Sequence, residues 1–153
     1  RMILFLDKLK ISKSFKAFLR KTNYKVTFNK DFEFVINSCA NIKRIGQNGT
    51  WITKGLIDSF TQLYKSGKVI SVEVWDEDEI VGGLYGIDLG NIFCGESMFS
   101  KSSNSSKVAL YYLVKELKKN QYKFIDCQVP SEHLRSLGGE NISRNNFLDL
   151  LNG

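Results

Sequence analysis

A chain of 153 residues, 42% apolar and 25% charged, is long enough to bury one substantial core and short enough to be one domain. It contains no apolar run of bilayer-spanning length, and its first stretch, "MILFL", is too short for a signal-peptide core. Three scattered cysteines (Cys39, Cys94, Cys127) and one histidine (His133), without CxxC or HExxH spacing, argue against a disulfide framework and a metal site and fit a reducing compartment.

The net charge of +6 is unevenly spread: residues 1–44 hold 11 Lys/Arg against 3 Asp/Glu, and the rest holds 11 against 13. A basic first third on a balanced body points to an anionic partner, nucleic acid first, although a solvated lysine-rich surface accounts for the same counts.

Residues 2–5 read as a strand. Residues 12–22 read as an amphipathic helix, with Phe15, Phe18 and Leu19 at i, i+3, i+4 and Ser12 or Ser14 as cap. Lys13, Lys16 and Arg20 fall on the opposite stripe. Residues 24–28 alternate as a strand, 31–40 look helical, and 41–51 form a loop with an Asn48–Gly49 turn signal. Residues 53–65 are a second clear helix, closed by Gly67 in the position a left-handed cap prefers. Strands at 69–75 and 80–87 flank an acidic tip, "DEDE", and 91–99 forms a third strand of the meander. A polar loop, "SKSSNSS", leads into a long helix at about 106–119. A strand at 123–129 follows, then short helices at 131–137 and 145–151. A meander, a crossover helix and a further strand define an α+β fold with helices packed on the sheet, an order shared with the GNAT acyltransferase fold.

Three strand segments carry residues that a plain core does not need. In "FIDCQV", alternation puts Asp126 and Gln128 on one face, Cβ atoms about 7 Å apart, with Ile125, Cys127 and Val129 on the other. Cys127 then reads as a small buried residue, and a Cys127–His133 nucleophile pair is the sharper alternative. In "IFCGESMF", Glu96 sits in an apolar strand and needs either a site role or a lysine partner. In "VGGLYG", three glycines mark a bulge or a close backbone approach. The connection between the third meander strand and the long helix lacks glycine, which argues against a coenzyme A pyrophosphate cradle there.

Taken together and in order, "GTWIT", "SVEVWDEDEIVGGLYG", "FCGESMFS", "IDCQV" and "HLRSLGG" resemble the bacterial leucyl/phenylalanyl-tRNA–protein transferases. The resemblance runs from "KISKSFKAFLRKTNYKVTFN" to "ISRNNFLDLL". It implies a single GNAT-like domain over residues 1–153, preceded in the family by a small N-terminal domain with a Trp-rich segment that this chain does not include. It also implies a cytoplasmic, monomeric enzyme that uses no cofactor. Such an enzyme moves leucine or phenylalanine, and to a lesser extent methionine, from aminoacyl-tRNA to proteins with N-terminal Arg or Lys, marking them for degradation.

By the same resemblance Asp126 and Gln128 match the catalytic pair and Glu96 an active-site glutamate. Trp51 matches an aromatic that contacts the terminal adenosine or the aminoacyl end. Leu84, Met98, Leu110, Leu113, Leu117 and Ile125 match the amino-acid pocket, with Leu113 and Leu117 standing where some members carry phenylalanine. The basic helix supplies Lys13, Lys16, Arg20 and Lys21 for tRNA phosphates. Two other readings stay open: a coenzyme-A-dependent acetyltransferase, and a non-catalytic domain that binds tRNA or peptide.

Overall fold

The computed structural model describes residues 1–42 and 49–152. The expected turn at Asn48 lies outside the described residues, while Gly49 has φ +98°. In chain order the elements are β1 (Met2–Phe5), α1 (Lys13–Lys21), β2 (Lys25–Phe28), α2 (Phe32–Asn41) and α3 (Lys54–Lys65). The meander follows as β3 (Val69–Asp76), β4 (Glu79–Asp88) and β5 (Ile92–Ser100). Last come α4 (Ser105–Lys119), β6 (Phe124–Gln128), α5 (Glu132–Ser136), β7 (Glu140–Asn141) and α6 (Arg144–Asn152).

Local chemistry sets the helix starts. Ser12 Oγ accepts the Phe15 N–H, Asp31 Oδ1 the Phe34 N–H, and Ser131 Oγ the Leu134 N–H. Each such cap is worth about 1 kcal/mol. The seven strands form one sheet in the order β2-β3-β4-β5-β6-β1-β7. All neighbours are antiparallel except β5 and β6, because α4 is the crossover between them. The two-residue strand β7 pairs with β1 and is too short to leave a sequence pattern.

Alternation along the strands divides the core. Val72, Val74, Leu84 and Ile125 face α1 and α4. Val69, Ile80, Tyr85 and Phe99 face α2 and α3. Phe124 packs on Phe147 of α6 with ring centroids 6.2 Å apart, so α6 covers the β1–β6 end of the sheet on the side away from α4.

Two glycines in β4 carry the geometry that "VGGLYG" suggested. A Cβ on Gly82 would collide with the Ser105 side chain, which sits directly on β4 at the head of α4. A Cβ on Gly86 would collide with the Cys94 carbonyl and the Phe93 ring, where the β4–β5 register shifts.

Candidate active site

The parallel pair β5–β6 holds together over only three positions, Ile92 with Phe124, Phe93 with Ile125, and Cys94 with Asp126. Beyond them β5 continues to Ser100, paired with β4 alone, while β6 stays with β1. The sheet therefore opens into a wedge. Each wall carries an irregularity at its mouth. On β5 the register jumps from Tyr85–Ser97 to Gly86–Gly95, leaving Glu96 as the extra residue. On β6 it jumps from Ile3–Asp126 to Met2–Gln128, leaving Cys127 as the extra one. Such insertions break the two-residue period and re-aim side chains.

A cavity of about 410 Å³ occupies the wedge. Its apolar floor comes from Leu4, Leu84, Phe93, Leu110, Leu113 and Ile125, with Met98 on the β5 side. Its polar rim comes from Glu96, Ser97, Gln128, Ser131 and His133, with Cys127 between Ile125 and Gln128. Of the residues expected in the amino-acid pocket, Leu84, Met98, Leu110, Leu113 and Ile125 line it. Leu117 does not: it lies one helical turn beyond Leu113, about 6 Å further along α4, buried in the core. Trp51 is 44% exposed just before α3 and is not part of the lining.

The expected common face of Asp126 and Gln128 is not found. Gln128 has φ +56°, in the left-handed region, so alternation ends at Cys127 and Gln128 joins the cavity lining. Asp126, only 2% exposed, stays on the face of Phe124. Its Oδ1 accepts from Arg1 Nε at 2.9 Å and from the Gln128 backbone N–H at 3.0 Å, and its Oδ2 accepts from Arg1 Nη2 at 2.7 Å. Val129, expected on the packing face, lies beyond the end of β6 and is 71% exposed.

Electrostatics follow from this placement. The hydrogen bond to Asp126 raises the Arg1 pKa further. Glu96 is pushed above the ordinary carboxyl value, first by burial and then by the charge on Asp126, with Arg1 acting in the opposite sense. Among the described residues Glu96 makes no ion pair with a lysine. Burial, then Asp126, lifts the Cys127 thiol to about 12, and burial lifts Cys94 to about 11. The Cys127 thiol donates to the Ile125 carbonyl at 3.8 Å. His133 is shifted down, by burial and then by Lys107. Cys127 and His133 both line the cavity, but the Cys127 thiol is turned to the Ile125 carbonyl, and among the described residues no hydrogen bond joins it to His133, so the contact that defines a nucleophile pair is missing.

The turn into α4 is internally committed. Ser105 Oγ donates to the Val81 carbonyl at 2.8 Å, its N–H donates to the Ser102 carbonyl, and the Ser106 N–H reaches Ser100 Oγ at 3.5 Å. The N–H groups of Lys101, Ser102, Ser105 and Ser106 thus already have acceptors within the protein. On α1, Lys13, Lys16, Arg20 and Lys21 are all exposed, while Phe15 packs edge-on against Tyr111 of α4, ring centroids 6.3 Å apart. The basic stripe therefore lies on the α4 side of the sheet, the side on which the apolar floor is built.

Sequence reasoning did not single out Arg1, Ser97 or Leu4. Arg1 is separated from Asp126 by 125 positions, and only a β1–β6 pairing, which no local pattern announces, brings them together.

A mixed sheet that parts between two parallel strands, with a crossover helix over the gap, defines an acetyltransferase-like fold. Solved structures agree. A predicted acetyltransferase with acetyl-CoA from Clostridium acetobutylicum aligns with a TM-score of 0.54 at 16% identity, over 80% of this chain and 92% of that one. A conserved protein of unknown function from Bacteroides thetaiotaomicron aligns at 0.60 and 16% identity, over 88% and 52%. At such identity the likeness carries the fold alone.

The sequence comparisons go further. The family model described as leucyl/phenylalanyl-tRNA protein transferase matches residues 3–152. A leucyl/phenylalanyl-tRNA–protein transferase of Flavobacterium johnsoniae is 55% identical over 151 residues, covering 99% of this chain and 71% of that protein. Its counterpart in Flavobacterium psychrophilum is 52% identical, with 99% and 72% covered. The chain belongs to the leucyl/phenylalanyl-tRNA–protein transferase family, whose members are aminoacyltransferases.

Proposed function

We propose that this chain moves leucine or phenylalanine, and methionine less readily, from the ester end of aminoacyl-tRNA to the α-amino group of proteins that begin with Arg or Lys. The product carries a new N-terminal residue that serves as a degradation signal. The observation that carries the reading is the wedge cavity, apolar at its floor and polar only at its rim. At about 410 Å³ it falls within the roughly 300–1,000 Å³ of small-molecule sites. An unbranched or γ-branched apolar side chain fits such a floor. Hydrophobic discrimination of one methylene is only about 1–3 kcal/mol, so a leaky preference among Leu, Phe and Met is expected.

The chemistry asks little of a base. The acceptor α-amine has a pKa of about 7.7–8.0, so part of it is neutral near pH 7. Its nitrogen attacks the ester carbonyl carbon. The C–N bond forms, the bond to the ribose oxygen breaks, and the proton lost by nitrogen ends on that oxygen. Holding the two reactants in attack geometry supplies much of the rate. Gln128, a side-chain amide too weak to act as a base alone, orients the amine or relays its proton at the cavity rim. Glu96 attracts an acceptor that carries two positive charges. Lys13, Lys16, Arg20 and Lys21 grip phosphates of the tRNA. We read the chain as a single monomeric domain acting in the cytoplasm.

Transfer of labelled leucine from Leu-tRNA to an Arg-initiated peptide tests the reading. Gln128→Ala is expected to lower the rate about 100-fold, the scale of lost alignment. An undiminished rate sinks it. Neutralising Lys16 and Arg20 together is expected to flatten the salt dependence of tRNA binding by roughly two phosphate contacts. Tight calorimetric binding of acetyl-coenzyme A would instead favour an acetyltransferase.

A further inference from the structure

We infer that Arg1 is a positioning residue for transfer: its guanidinium pins the Asp126 carboxylate, and Asp126 in turn holds the backbone of Gln128 in the left-handed turn that brings Gln128 to the cavity. The inference rests on the reading of Gln128 as the group that orients the attacking amine.

The hydrogen bonds around Asp126 show why it works through another residue. Both carboxylate oxygens are engaged by one guanidinium, Oδ1 by Nε at 2.9 Å and Oδ2 by Nη2 at 2.7 Å. That two-point match belongs to arginine and not to lysine. Asp126 is buried on the Phe124 face and is not part of the cavity lining. What it delivers to the site is its second bond from Oδ1, to the Gln128 N–H at 3.0 Å. That bond links residue i to the backbone of i+2, the local pattern by which an aspartate steers the chain out of a strand.

Gln128 needs such a constraint. A residue with a Cβ disfavours φ of +56°, and regular alternation would put Gln128 on the face of Asp126, away from the floor formed by Ile125. The extra residue at Cys127 and the turn at Gln128 together reverse that placement. Arg1 is itself braced: its guanidinium carbon lies 5.3 Å from the centre of the Phe147 ring on α6. A chain of contacts therefore runs from α6 through Arg1 and Asp126 to the rim of the cavity.

The test is a kinetic double-mutant cycle on the full chain, with Leu-tRNA and an Arg-initiated peptide. Arg1→Ala is expected to lower kcat about 100-fold, the cost of misaligned reactants, with KM for Leu-tRNA unchanged. Arg1→Lys, which keeps the charge but loses the fork, is expected to recover only part of that rate. The Arg1→Ala, Gln128→Ala double variant is expected to be no slower than Gln128→Ala alone, because coupled residues are non-additive. Retained tRNA affinity identifies folded variants, and if Arg1→Ala does not fold, Arg1→Lys carries the cycle. Losses that multiply in the double variant overturn the inference, as does a wild-type kcat in a folded Arg1 variant. Slow Gln128→Ala beside fast Arg1→Ala defeats the inference alone. Fast Gln128→Ala defeats the reading of the site and the inference with it.

Discussion

Among the described residues, two carboxylates are buried, Glu73 on β3 and Asp126 on β6, and they are satisfied in opposite ways. Glu73 is fully buried and accepts only from neutral donors: Ser71 Oγ at 2.6 Å, Thr27 Oγ1 at 2.7 Å, and the N–H groups of Lys30 and Asp31 at 3.3 Å each. Thr27 Oγ1 also accepts from the Trp75 indole N–H at 2.8 Å. These donors tie β2, β3 and the start of α2 together. Asp126 instead has one cation and one backbone amide, beside an opening in the sheet. The first arrangement clasps three elements. The second leaves a directed bond that sets the backbone of the next polar residue. A buried carboxylate is therefore not in itself the mark of a site; what its bonds are attached to decides.

The comparison breaks most visibly at Glu73. Glu73→Ala leaves two hydroxyls and two amides without their acceptor. It is expected to cost about 3 kcal/mol, which for a chain of this size lowers Tm by roughly 6–12 °C. The kcat of the folded fraction should be unchanged, and a kcat that falls with Tm would erase the distinction. Asp126→Asn should behave the other way round in calorimetry and transfer assays. Its stability loss is expected to be about 1–3 kcal/mol, between buried-pair and exposed-pair values because Arg1 is 42% exposed. Its kcat loss should match that of Arg1→Ala.

Glu96→Gln is the smallest change and sharpens the contrast, since Glu96 is only half-buried and belongs to the rim. Acceptor KM is expected to rise about fivefold, the ~1 kcal/mol of a partly exposed charge pair. Stability should move the opposite way. The folded carboxyl has its pKa above the ordinary 4.5, so the native state holds the proton more tightly than the unfolded chain. Wild-type stability on this account is full below about 4.5 and falls as pH rises through the raised value. Glu96→Gln is therefore expected to be the more stable protein at pH 7 and to lose that advantage in acid, as thermal denaturation at the two pH values would report.

Much of this was readable along the chain. Ser12, Asp31, Thr53 and Ser131 mark helix starts because a cap acts over three residues. The meander declares itself because alternation needs only one strand at a time. The glycines of "VGGLYG" announced a close approach and a register shift without saying which. Gln128 and Glu96 were legible as polar interruptions of apolar strands, and the order of five short motifs tied them to a family. Their directions were not legible. Alternation assumes an unbroken period of two, and the extra residues at Glu96 and Cys127 break it at the mouth of the wedge.

The sequence by itself therefore determined the order of the longer elements, the α+β class, the family, the basic stripe on α1 and, through the family resemblance, most of the apolar floor. These depend on periodicity and motif spacing, which are local. Only the tertiary structure decided that β5 and β6 part after three pairs, that Leu117 lies below the cavity, and that Asp126 and Gln128 face different ways. It alone joined Arg1 to Asp126 across 125 positions. The physical reason is common to all four: each depends on which strands lie side by side, and side chains far apart in the chain acquire a shared environment only once the sheet has closed.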